Sequence, residues 1–173
     1  MRDAAFPTLA ISVRQPWAWA IIHAGKTIEN RSRGAVMHMI PQLGPRAIHA
    51  AKGMTRDEYN AGREFMASLG IACPEPAELL RGGIIGRVDV VAVVSESASL
   101  WFHGPKGLVL ENAAPCAFIP SVGDRGYFGW TRADASIVPP PAKWMLPSIA
   151  VEAAAKTRAK SPQLDLIDLV QSS

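Results

Sequence analysis

The chain has 173 residues, 49% of them apolar and 19% charged, which suits one domain with a real core and argues against a wholly disordered chain. Its net charge of +3 is unevenly spread: residues 1–56 carry eight Arg and Lys against two Asp and Glu, and Arg outnumbers Lys twelve to six over the whole chain. A basic, arginine-rich half points to a phosphate-bearing or polyanionic partner.

Leu9 to Arg14 reads as a short strand with Ile11 and Val13 on one face. Pro16 stands where a first helical position belongs and Gly25 where a C-terminal cap belongs, and Trp17, Ala20, Ile21 and Ala24 recur at helical spacing between them. A short helix over Pro16–Ala24 is expected. This uncharged stretch is too short to cross a bilayer, and no basic segment leading to an apolar run opens the chain, so the expectation is a cytoplasmic protein without membrane contact. Lys26 to Arg31 follows as a strand, with Lys26, Ile28 and Asn30 on one face and Thr27, Glu29 and Arg31 on the other. Arg33 to Pro45 has no clear period and reads as a loop, and Pro45 to Lys52 as a strand with Ile48, Ala50 and Lys52 on one side.

Thr55-Arg56-Asp57-Glu58 forms a capping box, opening a helix that runs to about Leu69 and stops at Gly70. A second short helix is expected near Pro76–Arg81. Ile84 to Ser95 is so rich in Val and Ile that it needs burial on both faces, as in a small barrel. Leu108–Leu110 and Tyr127–Trp130 read as later strands. The fold class is therefore α+β, a small β-barrel with peripheral helices. Pro139-Pro140-Pro141 and Trp144 close the domain near Pro147, giving a domain over 1–147 and a C-terminal tail over 148–173, flexible or helical.

No phosphate-binding loop, dinucleotide fingerprint, H-E-x-x-H or G-x-S-x-G occurs. Cys73 and Cys116 lack CxxC spacing, and the four histidines are too dispersed to mark a ligand pair, so neither a metal nor a cofactor is expected. His23 reads as a surface or packed residue, His49 as structurally hydrogen-bonded, and Asp89, inside the Val-rich strand, as ion-paired to an arginine.

Two clusters carry the chemistry. The first is Arg14-Gln15-Pro16-Trp17 with Gly25-Lys26-Thr27-Ile28-Glu29-Asn30-Arg31. Strand, helix and strand return the chain on itself, so these groups can meet around one cleft. Arg and Lys suit phosphate, Trp suits stacking, and Gln and Glu suit base edges. The alternative is a surface pair of Glu29 with Arg31 beside a core tryptophan. The second cluster is Gly44-Pro45-Arg46-Ala47-Ile48-His49-Ala50-Ala51-Lys52.

Together the clusters resemble the ASCH domain, a branch of the PUA-like superfamily, whose pattern runs R-Q-P-W, helix, G-x-K-T-I-E-x-R, then G-P-x-x-I-H-A-x-K. Gly83-Ile84-Ile85-Gly86-Arg87-Val88 and Gly126-Tyr127-Phe128-Gly129-Trp130 extend the likeness over about Leu9 to Pro147. The resemblance implies a small β-barrel with a cleft for RNA or a modified nucleoside. Some small relatives hydrolyse N4-acylated cytidines, and ribonuclease activity is ascribed to others. Lys26 matches the amidohydrolases' lysine, Glu29 stands where their threonine would be, and their third catalytic carboxylate has no aligned counterpart.

The chemistry leaves two arrangements open. Glu29 beside Lys26 would hold the lysine charged, which suits reading a polar ligand. Alternatively Glu29 is the base, with Lys26 or Lys52 stabilising an oxyanion or phosphorane. The expectation is thus a binder of RNA or a nucleotide-like ligand, with Lys26, Glu29 and Lys52 as candidate catalytic groups and Arg14, Gln15, Trp17, Arg31, Tyr127 and Trp130 as ligand contacts. Arg14, Arg31 and Lys52 would hold phosphate, and Tyr127 or Trp130 would offer stacking platforms. The alternatives are a hydrolase of N4-acylated cytidine, a ribonuclease, or an adaptor. The adaptor reading rests on Gln163, Leu164, Asp165, Leu166 and Ile167, which are similar to the peptide that docks bacterial proteins on the replication sliding clamp. The competing reading of that segment is an amphipathic helix folded back onto the barrel.

Overall fold

A computed structural model describes residues 6–148; the clamp-like segment and the rest of the expected tail lie outside them. Six strands form one mixed sheet that curls into a half-barrel, in the order β2-β5-β4-β3-β1-β6. In chain order these are β1 (Leu9–Val13), β2 (Ile28–Arg31), β3 (Gly44–Ala50), β4 (Gly83–Val94), β5 (Lys106–Pro120) and β6 (Tyr127–Gly129). Helices α1 (Trp17–His23), α2 (Arg33–Met37) and α3 (Arg56–Ser68) connect them. No helix among the described residues is long and apolar enough to cross a membrane.

β1 and β3 run parallel, and every other neighbouring pair is antiparallel. The curl comes from the two long central strands. Their pairing shifts register between Ile84 and Gly86, between Arg87 and Asp89, and between Val90 and Ala92, and each irregularity adds local twist and bend. α1 fills the concave side through Ala18, Ile21 and Ile22, which pack with Ile11, Ile48, Val88 and Leu108 in the main core. Gly86 makes that approach possible, because a Cβ there would overlap Ile22 and the Ala114 carbonyl. α3 backs α1 in the same way, since a Cβ on Gly62 would overlap the Pro16 ring.

The capping box forms as the sequence dictates, with Thr55 Oγ1 accepting from the Glu58 amide and the Glu58 carboxylate accepting from the Thr55 amide. Five local readings change. Residues 33–37 form a short helix where a loop is expected, because the Ser32 hydroxyl accepts from the Ala35 amide at 3.1 Å. Residues 76–81 make turns instead of a helix: the Glu78 carboxylate takes the Glu75 amide at 2.9 Å, closing a turn between prolines. β5 has 15 residues where three were expected, since its interior carries Glu111, Asn112 and Pro115, which hide a strand from pattern reading. The far end of β4 is buried only in part, with Val91 exposed, so its apolar run is not covered on both faces throughout. Asp89 is half-buried and accepts from Asn112 Nδ2 at 2.8 Å, so its partner is an amide and not an arginine.

Candidate functional site

Gly25 turns the chain out of α1 with a φ of +68°, a conformation that glycine adopts freely. Lys26 follows before β2 begins, its amide held by the Ala20 carbonyl at 3.1 Å. Since it is not yet in the strand, the alternation that would separate it from Glu29 does not apply. Lys26 Nζ lies 3.1 Å from Glu29 Oε2 and also donates to the Ile28 carbonyl. Glu29 and Arg31 share a strand face, and Arg31 Nη2 sits 3.2 Å from Glu29 Oε1 while donating to the Ser12 carbonyl at 2.7 Å. A relay of three charges thus crosses from the helix end to the first strand. The pairing of Glu29 with Arg31 is largely out of solvent, so it is no surface bridge.

Aromatic groups wall this relay. Lys26 Nζ stands 5.9 Å from the ring centres of both Trp17 and Trp101, at the outer limit of cation–π attraction. Asn30 clamps the Trp101 segment from both sides, its Nδ2 donating to the Trp101 carbonyl and its Oδ1 accepting the His103 amide, each at 2.8 Å. Phe65 of α3 supports the wall, edge-on to Trp17, Trp101 and His103 at 6.0, 5.4 and 5.1 Å. The result is a cavity of about 250 Å³ lined by Trp17, Lys26, Glu29, Asn30, Trp101 and His103.

The Lys26 side chain is only 3% exposed. Burial lowers its pKa, and the Glu29 carboxylate opposes that shift without cancelling it. The carboxylate therefore moderates the effect of burial and does not hold the amine above its ordinary value. Lys26 accordingly gives up its proton more readily than an exposed lysine, in a site with one half-buried carboxylate and two indoles.

The other sequence candidates lie elsewhere. Lys52 lines a separate cavity of about 410 Å³, together with Ser12, His49, Ala51, Val122, Gly123, Asp124 and Arg125, and not the one holding Lys26. Lys26 follows α1 and Lys52 follows β3, and the two line different cavities and do not share a site. Arg14 pairs with Glu58 at 2.6 Å in an exposed contact. Gln15 is buried; its Oε1 accepts the Trp19 amide at 2.9 Å and its Nε2 donates to the Leu80 carbonyl at 2.8 Å, so it substitutes for the missing cap of α1. Tyr127 donates to the Gln42 carbonyl at 2.9 Å with its ring 4.1 Å from the Arg46 guanidinium, and Trp130 donates to the Pro7 carbonyl at 2.7 Å against the edge of Phe6. Both aromatic rings are engaged in packing. His23 is exposed beside Trp19, and His49 is buried and hydrogen-bonded at both nitrogens.

Asn30, Trp101 and His103 enter the site without having been singled out from the sequence. Asn30 stands within the first cluster, but Trp101 and His103 are far along the chain and reach it only because β5 pairs with β2, Asn30 facing Gly107. Among the described residues no group of three or more His, Cys, Asp and Glu side chains is placed to hold a metal ion. No family model matches the chain, and no curated protein matches it.

Proposed function

We propose that the chain is an ASCH-type, PUA-like domain that binds RNA or a nucleotide-like ligand by admitting one nucleobase between Trp17 and Trp101. The observation that carries the reading is a cavity of about 250 Å³ lined by two indoles, which stand 5.9 Å from the buried Lys26 ammonium, and by the half-buried Glu29 carboxylate that pairs with it. That volume is below the roughly 300–1,000 Å³ of pockets for drug-sized ligands, and suits a single heterocycle. Indole faces favour stacking on a base of any sequence. Glu29 supplies acceptors for an exocyclic amine, as carboxylates do for the amino group of cytosine, and Lys26 supplies a donor for a ring carbonyl. The basic first third of the chain supports attraction of the phosphate backbone.

Titration of the full chain with cytidine, with N4-acetylcytidine and with short single-stranded RNA, followed by tryptophan fluorescence, tests the reading. Saturable quenching that weakens in Trp101→Phe and Glu29→Gln is expected, and RNA affinity should fall steeply with salt. RNA binding that stays flat between low and moderate salt overturns the RNA arm, and unaltered quenching in both variants overturns the pocket.

A second reading, amide hydrolysis of N4-acylated cytidine, is supported by the lowered pKa of Lys26, which suits a group that takes a proton. Acetate release from N4-acetylcytidine, lost in Lys26→Met, would favour it over simple binding.

A further inference from the structure

Nothing in the base recognition above uses the hydrogen-bonded pair of Ser12 and His49 at the larger cavity. Ser12 and His49 are register partners on the parallel strands β1 and β3, so their side chains stand side by side on the same face of the sheet. The Ser12 Oγ to His49 Nδ1 distance is 2.6 Å, and His49 Nε2 lies 2.9 Å from the Ser121 carbonyl oxygen. A carbonyl oxygen only accepts, so the proton of the neutral ring sits on Nε2. Nδ1 is then bare, and the Ser12 hydroxyl must donate to it. This is the arrangement of a serine nucleophile and its base, with a main-chain carbonyl orienting the ring where a carboxylate more often does.

The surroundings fix the pair. His49 is 2% exposed, its ring edge-on to Phe128 at 5.8 Å, and burial holds its pKa below the usual histidine value, which keeps it a base near neutrality. The backbone at Gly123 passes so close that a Cβ there would come within 2.8 Å of His49 Nδ1 and 2.9 Å of Ser12 Oγ. Yet Ser12 is only half-buried, and it lines the cavity of about 410 Å³ together with Lys52 and Arg125. Among the described residues the one carboxylate lining that cavity, Asp124, accepts the Arg125 amide at 2.7 Å, so the described cations outnumber the described anions around the hydroxyl.

We propose that Ser12 is a nucleophile activated by His49, and that this second cavity takes acyl groups from esters carrying a negative charge. Ser12 Oγ attacks the ester carbonyl carbon while its proton passes to His49 Nδ1. The carbon–oxygen bond to the leaving alcohol then breaks, and that oxygen takes the proton back from Nδ1. Water attacks the acyl-serine, His49 receives the water's proton and returns it to Ser12 Oγ, and the carboxylic acid departs. Lys52 and Arg125 draw in the acidic end of the ester. The proposal is independent of the cavity between Trp17 and Trp101.

The test uses the full chain with 4-nitrophenyl acetate and its acidic counterpart 4-nitrophenyl hemisuccinate, reading nitrophenolate release and, after acid quenching, the mass of the peptide containing residue 12. One acyl group on Ser12 is expected, with the hemisuccinate reacting at least about tenfold faster. Ser12→Ala should remove the adduct, and His49→Gln should slow acylation by about a hundredfold or more while the circular dichroism spectrum is retained. Absence of acyl-Ser12 in the folded native chain overturns the proposal, as does undiminished acylation of Ser12→Ala. Equal rates for the two esters overturn the assignment of an acidic substrate.

Discussion

Lys26 and Glu29 form a nearly dry ion pair, with 3.1 Å between Nζ and Oε2 and side-chain exposures of 3% and 12%. Removing one partner of such a pair leaves the other charge buried and uncompensated, and costs more than the pair contributes. Glu29→Gln should therefore lower folding stability by roughly 3–5 kcal/mol. Lys26→Met added to it should recover part of the loss, because the stranded ammonium is gone. Urea denaturation of both single variants and the double variant gives the coupling; strict additivity would mean that the pair is electrostatically idle.

Asn30 makes two hydrogen bonds of 2.8 Å to the backbone of the segment that carries Trp101. Asn30→Ala should cost about 1–2 kcal/mol of stability, the usual effect of losing two neutral hydrogen bonds. Its larger effect falls on ligand binding, since the indole loses its anchor. Base-dependent quenching should weaken by more than the change in stability accounts for, which fluorescence titration and denaturation on the same samples would show.

His49 supplies a sign for acid sensitivity. Its native pKa lies below the ordinary 6.5, through burial first and the Lys52 charge last, with the Ser121 contact opposing. Below that ordinary value the unfolded chain binds a proton that the native chain resists, so stability is present above pH 6.5 and declines as pH falls through it. The urea midpoint should drop between about pH 7.5 and about pH 5.5, and His49→Gln should flatten the curve across that window. A parallel decline in the variant would move the cause to another group.

Gly62 is a packing position. Its Cβ would overlap the rigid Pro16 ring between α3 and α1. Alanine favours a helix interior by itself, yet Gly62→Ala should destabilise by about 1–3 kcal/mol, because overpacking outweighs propensity. Thermal melting would check it, and a raised melting temperature would show that the two helices can move apart.

Much of the order of elements was legible in the sequence, α2 and the turns over 76–81 excepted. Pro16 and Gly25 bracket α1, Thr55 and Glu58 cap α3, and the Val-rich run of β4 announces the centre of the sheet. These signals are local, resting on backbone donors, φ preferences and side-chain periodicity within one turn or strand. The fifteen-residue β5 was not legible, because Glu111, Asn112 and Pro115 break its pattern and the neighbouring strands alone hold it in register.

For the site, the sequence by itself determined that Glu29 and Arg31 share one strand face, whereas Lys26, read as part of that strand, falls on the other and joins their relay only because the Gly25 turn keeps it outside β2. Only the tertiary structure decided what that relay faces. Sheet pairing brought Trp101 and His103 to it from far along the chain, α1 took Gln15 for its own backbone, and Lys52 went to the cavity of Ser12 and His49. The physical reason is that a residue's chemistry is local, whereas its partners are set by strand register and core packing. Those couple positions that no spacing in the linear chain connects.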